Sequence, residues 1–416
     1  MRDRELYARI LNLTAPWSVT DVDLDLKGQE VRVRLDVDAG AELRCPECEI
    51  VCARYDRRER RWRHLDTCQL QTVLITEVPR VTCPKHGVLQ IKIPWAEPGS
   101  RFTAMFEALV IDWLGEASTM AVARLLRLSW DEVDGIQGRA VARGLARRDA
   151  KPPTQIGVDE KSFKKGHEYV TVVTDHVTGN VLEVGQDRKQ ETFEAYLKTM
   201  TPAQRGRITH VSMDMWQPFI NAVRALVPDA ERKINFDKYH VASHLGRGVD
   251  RVRRAEHVAL MEAGDARLKK TKYLWLTNPD NMKRARWREF EALRTSALKT
   301  ARAWTLKEVA MNLWSYRSMT WAKKAWKAWI GWALRSRLEP MRKVARMVRE
   351  HLGGILNAVV SGATNALGES INAKIERIKN RACGFRNRVR FRNAIFFHLG
   401  GLDLYPETLR ATHTNP

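Results

Sequence analysis

Apolar and polar residues alternate along Asp21 to Val37. Val22, Leu24 and Leu26 lead to a turn at Lys27-Gly28, and Val31, Val33, Leu35 and Val37 follow it. A period of two broken by a glycine turn predicts a β-hairpin. A second strand-like run covers Thr72 to Val81. From Arg101 the period becomes helical, with Phe102, Phe106, Leu109, Val110 and Trp113 on one stripe. A short helix over 118–126, a turn at Arg127-Leu128-Ser129 with Ser129 as N-cap, and a longer helix over 130–147 complete a helix-turn-helix pattern. Two ordinary packed helices would share that pattern.

Lys151-Pro152-Pro153 is the strongest break in the chain. Beyond it, strands are expected over 156–159, 169–174, 181–184, 208–214 and 233–236, with helices over 192–200 and 218–226, which describes a mixed α/β sheet. Residues 244–356 show no strand signal and read as helical and basic, with Trp304, Trp314, Trp321, Trp326, Trp329 and Trp332 among many Lys and Arg. Those tryptophans suit either an apolar seam or stacking on bases. Core packing is the expected use, so Trp321→Ala is expected to destabilise the fold more than it weakens DNA binding. Gly353-Gly354 ends that region, and a last helical segment follows. The expected division is 1–98, a β-hairpin and zinc-finger domain; 99–150, a helix-turn-helix; 151–243, the first part of an α/β core; 244–356, a helical insertion; and 357–416, the last part of the core with a tail.

Charge narrows the functional classes. The 416 residues carry 71 Lys and Arg against 49 Asp and Glu, a formal net charge of +22, while 44% of residues are hydrophobic. Such a chain can bury cores and still present the positive field of a nucleic-acid binder. No run approaches the roughly 18 apolar residues of a membrane span, and the charged start MRDRELYARI has no apolar segment behind it, so a cytoplasmic protein without a membrane partner is expected. Six cysteines are too few for a disulfide scaffold, and Cys45, Cys48, Cys52, Cys68 and Cys83 cluster early. Cys45-Pro46-Glu47-Cys48 and Cys83-Pro84-Lys85-His86 form two knuckles around a β-rich insert, each offering two ligands, so one structural Zn²⁺ on Cys45, Cys48, Cys83 and His86 is expected. Cys52 or Cys68 could replace one of the four.

Acids with catalytic potential sit at strand ends. Asp159 in IGVDE and Asp214 in THVSMDM each close an apolar run, where an α/β sheet opens to ligand. Either alone reads as an ordinary turn-forming Asp. Glu369 opens a helix whose later turns carry Lys374, Arg377, Lys379 and Arg381, and alone it suits the helix dipole. Together, three carboxylates on separate elements are what a pair of Mg²⁺ ions needs for phosphoryl chemistry.

The runs CPEC, RHLD, the Cys83 knuckle, GVDEKSFKKGHEYVTVVTD, VSMDMWQPFINAV, NFDKYHV and TNALGESINAKIERIKNRACGFRN stand in order along nearly the whole chain. In these the sequence resembles the ISL-three family of insertion-sequence transposases, members of the DDE superfamily. The resemblance implies a multidomain α+β chain: a β-rich zinc module, a helix-turn-helix, and an RNase H-like core interrupted by a helical insertion. It implies Asp159, Asp214 and Glu369 as catalytic residues and ligands of two Mg²⁺ or Mn²⁺ ions, with Asp237 and His240 supporting them. His86 stands where the family has a cysteine, and Cys383 where an aromatic residue is common. DNA contacts are expected at Gln137, Arg139, Lys374, Lys379 and Arg381. The implied function is cleavage and strand transfer at terminal inverted repeats and target DNA, by a homodimer at the bacterial nucleoid; a non-catalytic DNA-binding regulator is the alternative. Sequence-specific recognition is expected before Lys151, so that a fragment ending near Ala150 would bind the ends by itself.

Overall fold

The computed structural model describes residues 3–149, 151–164, 168–362 and 366–409. Ala150 at the expected boundary, Lys165 to His167 and Thr364-Asn365 of the quoted runs lie outside the described residues. The chain divides into two compact units, one comprising residues 1–149 with 396–398 and 402–416, the other residues 150–395 with 399–401.

In the first unit, helix α1 (Asp3–Ile10) precedes β1 (Trp17–Asp25), β2 (Glu30–Val37), β3 (Ala53–Thr67), β4 (Leu70–Cys83) and β5 (Gly87–Gln90). The sheet order is β1-β2-β4-β3, with β5 also on β4. The hairpin forms as its alternation predicts: Val31, Val33, Leu35 and Val37 are buried with Trp17, Trp62, Leu74 and Val78 in one core. Strand β3 has no counterpart in the pattern reading. It pairs with β4 from Ala53↔Thr82 to Thr67↔Leu70, yet its sequence ARYDRRERRWRHLDT hides the period behind six arginines and three acids that stay largely exposed. Pairing to an apolar neighbour, rather than its own pattern, makes it a strand.

Buried His64 on β3 meets the Thr103 hydroxyl at 2.9 Å, and burial depresses its pKa to about 4. The unfolded chain therefore takes up this proton first as pH falls, so the stability conferred by the neutral ring is complete above about pH 6.5 and is lost progressively towards pH 4, by about 3 kcal/mol at most. Urea unfolding of wild type and His64→Asn at neutral and acid pH checks this. The acid loss should be smaller in the variant, and equal losses would refute it.

Helices α2 (Ala104–Glu116), α3 (Thr119–Leu126) and α4 (Trp130–Arg147) follow. Ser129 caps α4 in a capping box with Glu132, and Arg127 adopts the left-handed conformation that ends α3, so the turn lies where the sequence puts it. Glu107 of α2 is almost fully buried and is held by Ser100, Arg139 and Arg143. A buried carboxylate needs such partners. The tail belongs here rather than with the catalytic core: Arg143 donates to the Leu404 carbonyl at 3.2 Å, Arg147 to that of Tyr405 at 2.6 Å, and the Tyr405 hydroxyl to Asp112 at 2.6 Å. Gly144 leaves room for Leu402, whose Cβ would stand 2.7 Å from an added Cβ. A fragment ending at Ala150 lacks these contacts and is expected to melt roughly 5–10 °C below the same fragment with residues 402–416 linked on. Equal calorimetric midpoints would show the tail to be idle.

The second unit opens with β6 (Gln155–Lys164), β7 (Glu168–Asp175) and β8 (Val181–Gly185), then α5 (Gln190–Lys198), α6 (Pro202–Gly206), β9 (His210–Met213), α7 (Gln217–Leu226), α8 (Ala230–Lys233) and β10 (Ile234–Phe236). The order β10-β9-β6-β7-β8 has β6 antiparallel to β7 and parallel to β9, and β9 parallel to β10. This is the RNase H-like arrangement. Helices α9 (Lys238–Glu262), α10 (Lys272–Leu276), α11 (Arg284–Arg294), α12 (Lys299–Asn312), α13 (Met319–Arg335), α14 (Glu339–Glu350) and α15 (Leu352–Ser361) come next, followed by α16 (Ala366–Arg381) and α17 (Arg388–Leu399), of which residues 396–398 count with the first unit. Gly353-Gly354 does not break the chain. Both glycines lie within α15, and a Cβ on Gly354 would meet the Phe236 ring at 2.5 Å, so the glycine lets the helix settle on β10.

The tryptophans divide. Trp275, Trp304, Trp326 and Trp329 are buried in the main core, but Trp321 is 60% exposed and Trp332 42%. The expectation that Trp321 packs in the core is thus wrong. Spacing along a helix reports which residues share a face, while the neighbouring helices decide which face is covered.

Candidate active site and zinc-ligand cluster

Strand register brings two of the expected acids together. Gly157 pairs with Ser212 across parallel β6 and β9, and Asp159 and Asp214 each follow two residues later. Side chains alternate along a strand, so both carboxylates leave the same face at the same height. Phe236 of β10 pairs with Met213, which puts Asp237 beside Asp214 at the same sheet edge. Gly157 is required here, since an added Cβ would fall 2.0 Å from His176 Nε2.

Burial pushes the Asp214 carboxyl up to about 6; His240 opposes the shift, while Asp159 and Glu160 reinforce it. A cation would relieve both the burial and the neighbouring negative charge, and hard oxygen donors of this kind suit Mg²⁺ or Mn²⁺. Asp159 accepts from the backbone N–H of Glu160 at 2.7 Å and from the Asn372 side chain, and Lys161 Nζ lies 3.9 Å away. Asp237 is buried, accepts from the Tyr239 N–H at 2.9 Å at the start of α9, and stands 3.9 Å from His240 Nε2.

Glu369 lies exposed in the first turn of α16. That helix buries Gly368, Ile371, Ile375 and Ile378, and Gly368, Ile371 and Asn372 line one small cavity with Gly157, Asp159, Val172, Thr174 and His176. Lys379 extends the seam by donating to the Ser162 carbonyl at 2.9 Å. Asn372, three residues after Glu369, ties the helix to Asp159. Glu376, four residues further on, shares that stripe, and its charge reaches Lys161. Glu376 therefore lies closer to the site than a neutral reference position would.

Sequence reasoning missed Asn372, Lys161 and Arg188. Arg188 lies 3.2 Å from Glu160 and packs over the rings of Tyr169 and Trp216, at 4.4 and 4.9 Å, pinning the loop after Asp214. Only the fixed offset of Asn372 from Glu369 within one helix could have signalled it.

Of the residues expected to touch DNA, Lys374 and Arg381 are exposed and Lys379 is half-buried. Gln137 is buried, and Arg139 is held by Glu107 with a hydrogen bond of 3.0 Å. Neither of these two is presented for reading bases, because the basic half of α4 supports α2 and the tail instead.

The four expected zinc ligands converge in the first unit, with their ligand atoms all within 4.8 Å of one another. Cys48 and Cys83 sulfurs lie 3.7 Å apart, and His86 Nδ1 is 3.6 Å from the sulfurs of both Cys45 and Cys83. A tetrahedral Zn²⁺ with ordinary bond lengths requires edges of about 3.8 Å between sulfurs and about 3.5 Å from sulfur to nitrogen, so the cluster fits that ion. Burial pushes the Cys83 thiol up, but the N–H groups of Lys85 and His86 and the sulfurs of Cys45 and Cys48 outweigh it and draw its pKa down to about 7. Cys68 is exposed and outside the cluster, and Cys52 is half-buried beside it.

Comparison with known proteins gives the family. A transposase family model, the DDE domain of ISL3, matches residues 156–395, more than half of the chain. The chain belongs to the ISL3 transposase family. The helix-turn-helix domain of ISL3 transposases matches residues 91–141, and the zinc finger of the IS204/IS1001/IS1096/IS1165 transposases matches residues 41–86. The transposase for insertion sequence element IS1557 of Mycobacterium tuberculosis is 28% identical over 447 aligned positions, spanning 100% of this chain and 99% of that protein. The transposase for IS1001 of Bordetella parapertussis is 28% identical over 352 positions, covering 83% of this chain and 86% of its own. This ISL3 chain is a DNA-binding transposase, and the regulator alternative is not favoured. No helix among its described residues is long and apolar enough to cross a membrane.

Proposed function

We propose that the chain cuts and joins DNA at the terminal inverted repeats of an insertion sequence through a DDE site made of Asp159, Asp214 and Glu369. The observation that carries this is the paired register of Asp159 and Asp214 at one sheet edge, where burial, reinforced by the neighbouring Asp159, raises the Asp214 pKa to about 6. When bound, two Mg²⁺ or Mn²⁺ ions supply activation of the attacking oxygen and stabilisation of the leaving one. Asp159 and Asp214 hold their oxygens at the sheet edge, and Asn372 keeps Asp159 turned towards α16. Glu369 adds its carboxylate from the first turn of that helix. His240 offsets the charge around Asp214, Asp237 anchors the start of α9 beside it, and Lys374 and Arg381 face the DNA backbone.

End recognition belongs to the first unit, where one Zn²⁺ on Cys45, Cys48, Cys83 and His86 holds the knuckles together. With Gln137 buried and Arg139 engaged by Glu107, the exposed arginines of β3 (Arg54, Arg58 and Arg60) supply phosphate contacts that position the helix-turn-helix. Joining two ends in one event calls for two active sites, hence a homodimer on nucleoid DNA. The test is cleavage of duplexes bearing the element ends, with Mg²⁺, by wild type and by the acid-to-amide variants. Wild type that binds the ends but never cuts them would overturn the reading.

A further inference from the structure

Helix α13 carries tryptophans on both faces. On one, Ala322, Trp326, Trp329, Ile330 and Ala333 are buried. Trp329 Nε1 donates to the Leu306 carbonyl at 2.8 Å, and Trp326 stands edge-on to Trp314 and Trp329 with ring centroids at 5.9 and 5.7 Å. These contacts fix the rotation of the helix. The other face is thereby committed to solvent with Trp321 60% and Trp332 42% exposed.

Eleven residues separate the two exposed rings. At about 100° and 1.5 Å per residue, they lie almost on one line roughly 16 Å apart. Lys324 and Arg335 fall within about 80° of that line, and Lys324 Nζ sits 5.3 Å from the centre of the Trp321 ring. Lys327, about 120° round the helix from Trp321, and Lys323 beyond it are exposed too, and α13 contains no acidic residue. Two exposed indoles forgo the burial that gives a tryptophan its folding value, so their place on this face is not explained by stability.

Flat rings among cations without acids complement a polyanion that shows flat faces of its own. A duplex keeps its base faces stacked inside, whereas an unpaired strand exposes them. A second copy of the chain is a poorer partner, because this face would bring Lys and Arg against Lys and Arg. An anionic membrane is poorer too, since the apolar side of α13 is already buried in protein.

We propose that this face of α13 binds unpaired DNA. Trp321 and Trp332 each stack on a separate base, being too far apart to sandwich one, while Lys324 and Arg335 hold the adjoining phosphates. The inference deepens the transposase reading above and rests on it, since breaking strands at an element end is what would present unpaired bases.

The test uses the full chain, a labelled single-stranded oligothymidine, and a duplex of equal length, with binding read by fluorescence anisotropy. Trp321→Ala and Trp332→Ala should each lower single-strand affinity about fivefold or more, and the double variant more steeply, with duplex affinity unchanged. Trp321→Phe should retain most of the binding, because the ring face survives. Urea midpoints should stay at the wild-type value, separating lost contact from lost fold. Single-strand affinity within twofold of wild type in the double variant would overturn the proposal. So would a parallel loss of duplex affinity, or a wild-type dimer that the double variant dissociates in sedimentation. Cleavage of element ends is scored on the same preparations: wild type that binds the single strand through these rings but does not cut sinks the catalytic reading and leaves this one standing.

Discussion

Asp159→Asn, Asp214→Asn and Glu369→Gln are each expected to lower cleavage and strand transfer by about a thousandfold or more while leaving end binding within about twofold of wild type. The amide keeps the size of each side chain and removes the charge that holds a divalent cation. Binding survives because recognition is assigned to residues 1–149 and the tail, a separate compact unit. Mn²⁺ should replace Mg²⁺, and Ca²⁺ should support binding without cutting, since it tolerates looser coordination than in-line attack allows. Glu376→Gln is the sharpest comparison. Glu369 and Glu376 flank Asn372 on one stripe of α16, and Asn372 donates to Asp159. Near-normal cutting by Glu376→Gln with none by Glu369→Gln assigns the third acid to Glu369; the reverse result moves it one stretch down the helix. A wild type inactive with either metal favours a regulator. Cleavage is read on end-labelled duplexes, and binding by gel shift on the same DNA.

Loss of the zinc ligands is expected to have the largest effect on the first unit. Cys45→Ser with Cys48→Ser should abolish the stoichiometric zinc of about one ion per chain, unfold the knuckle end of β4, and remove end binding altogether. Structural zinc contributes about 10–16 kcal/mol of apparent binding energy to small modules, more than a typical domain's whole stability. Cys52→Ser and Cys68→Ser should each retain the metal, because neither sulfur belongs to the convergent set of four. Elemental analysis and thermal unfolding of the four proteins check this. Zinc-free wild type, or a fully zinc-loaded double variant, would refute it. A Cys52→Ser protein that loses zinc while His86→Ala keeps it would shift the fourth ligand from His86 to Cys52.

Much of the architecture was legible because local patterns and tertiary environment agree. The alternation of Val31, Val33, Leu35 and Val37 matches one buried face of β2, and Ser129 with Glu132 marks the start of α4 through a bond that needs only four consecutive residues. Strands β7, β9 and β10 of the second sheet announced themselves because they are buried along most of their length and read as apolar runs. The two knuckles were equally plain, since each places two ligands within four residues.

Local signals failed wherever a distant segment decides the environment. Strand β3 shows no apolar period of its own and becomes a strand by pairing with β4. Arg139 reads as a DNA contact and is instead held by Glu107 on α2, while Arg143 and Arg147 on the same helix hold the tail some 260 positions away in the chain. Gly353-Gly354 looks like a breaker, and becomes the place where α15 approaches Phe236. The spacing of Trp321, Trp326, Trp329 and Trp332 was readable to the residue, but which of them meet solvent was not, because a helical period is blind to what packs against it. The sequence by itself determined the helix-turn-helix, the strands of the second sheet, the two knuckles and the strand-end positions of Asp159 and Asp214, since these rest on near neighbours. Tertiary structure alone set the register that pairs Asp159 with Asp214, the bond from Asn372 to Asp159, and the outward face of α13, because each depends on contacts between segments that no local pattern encodes.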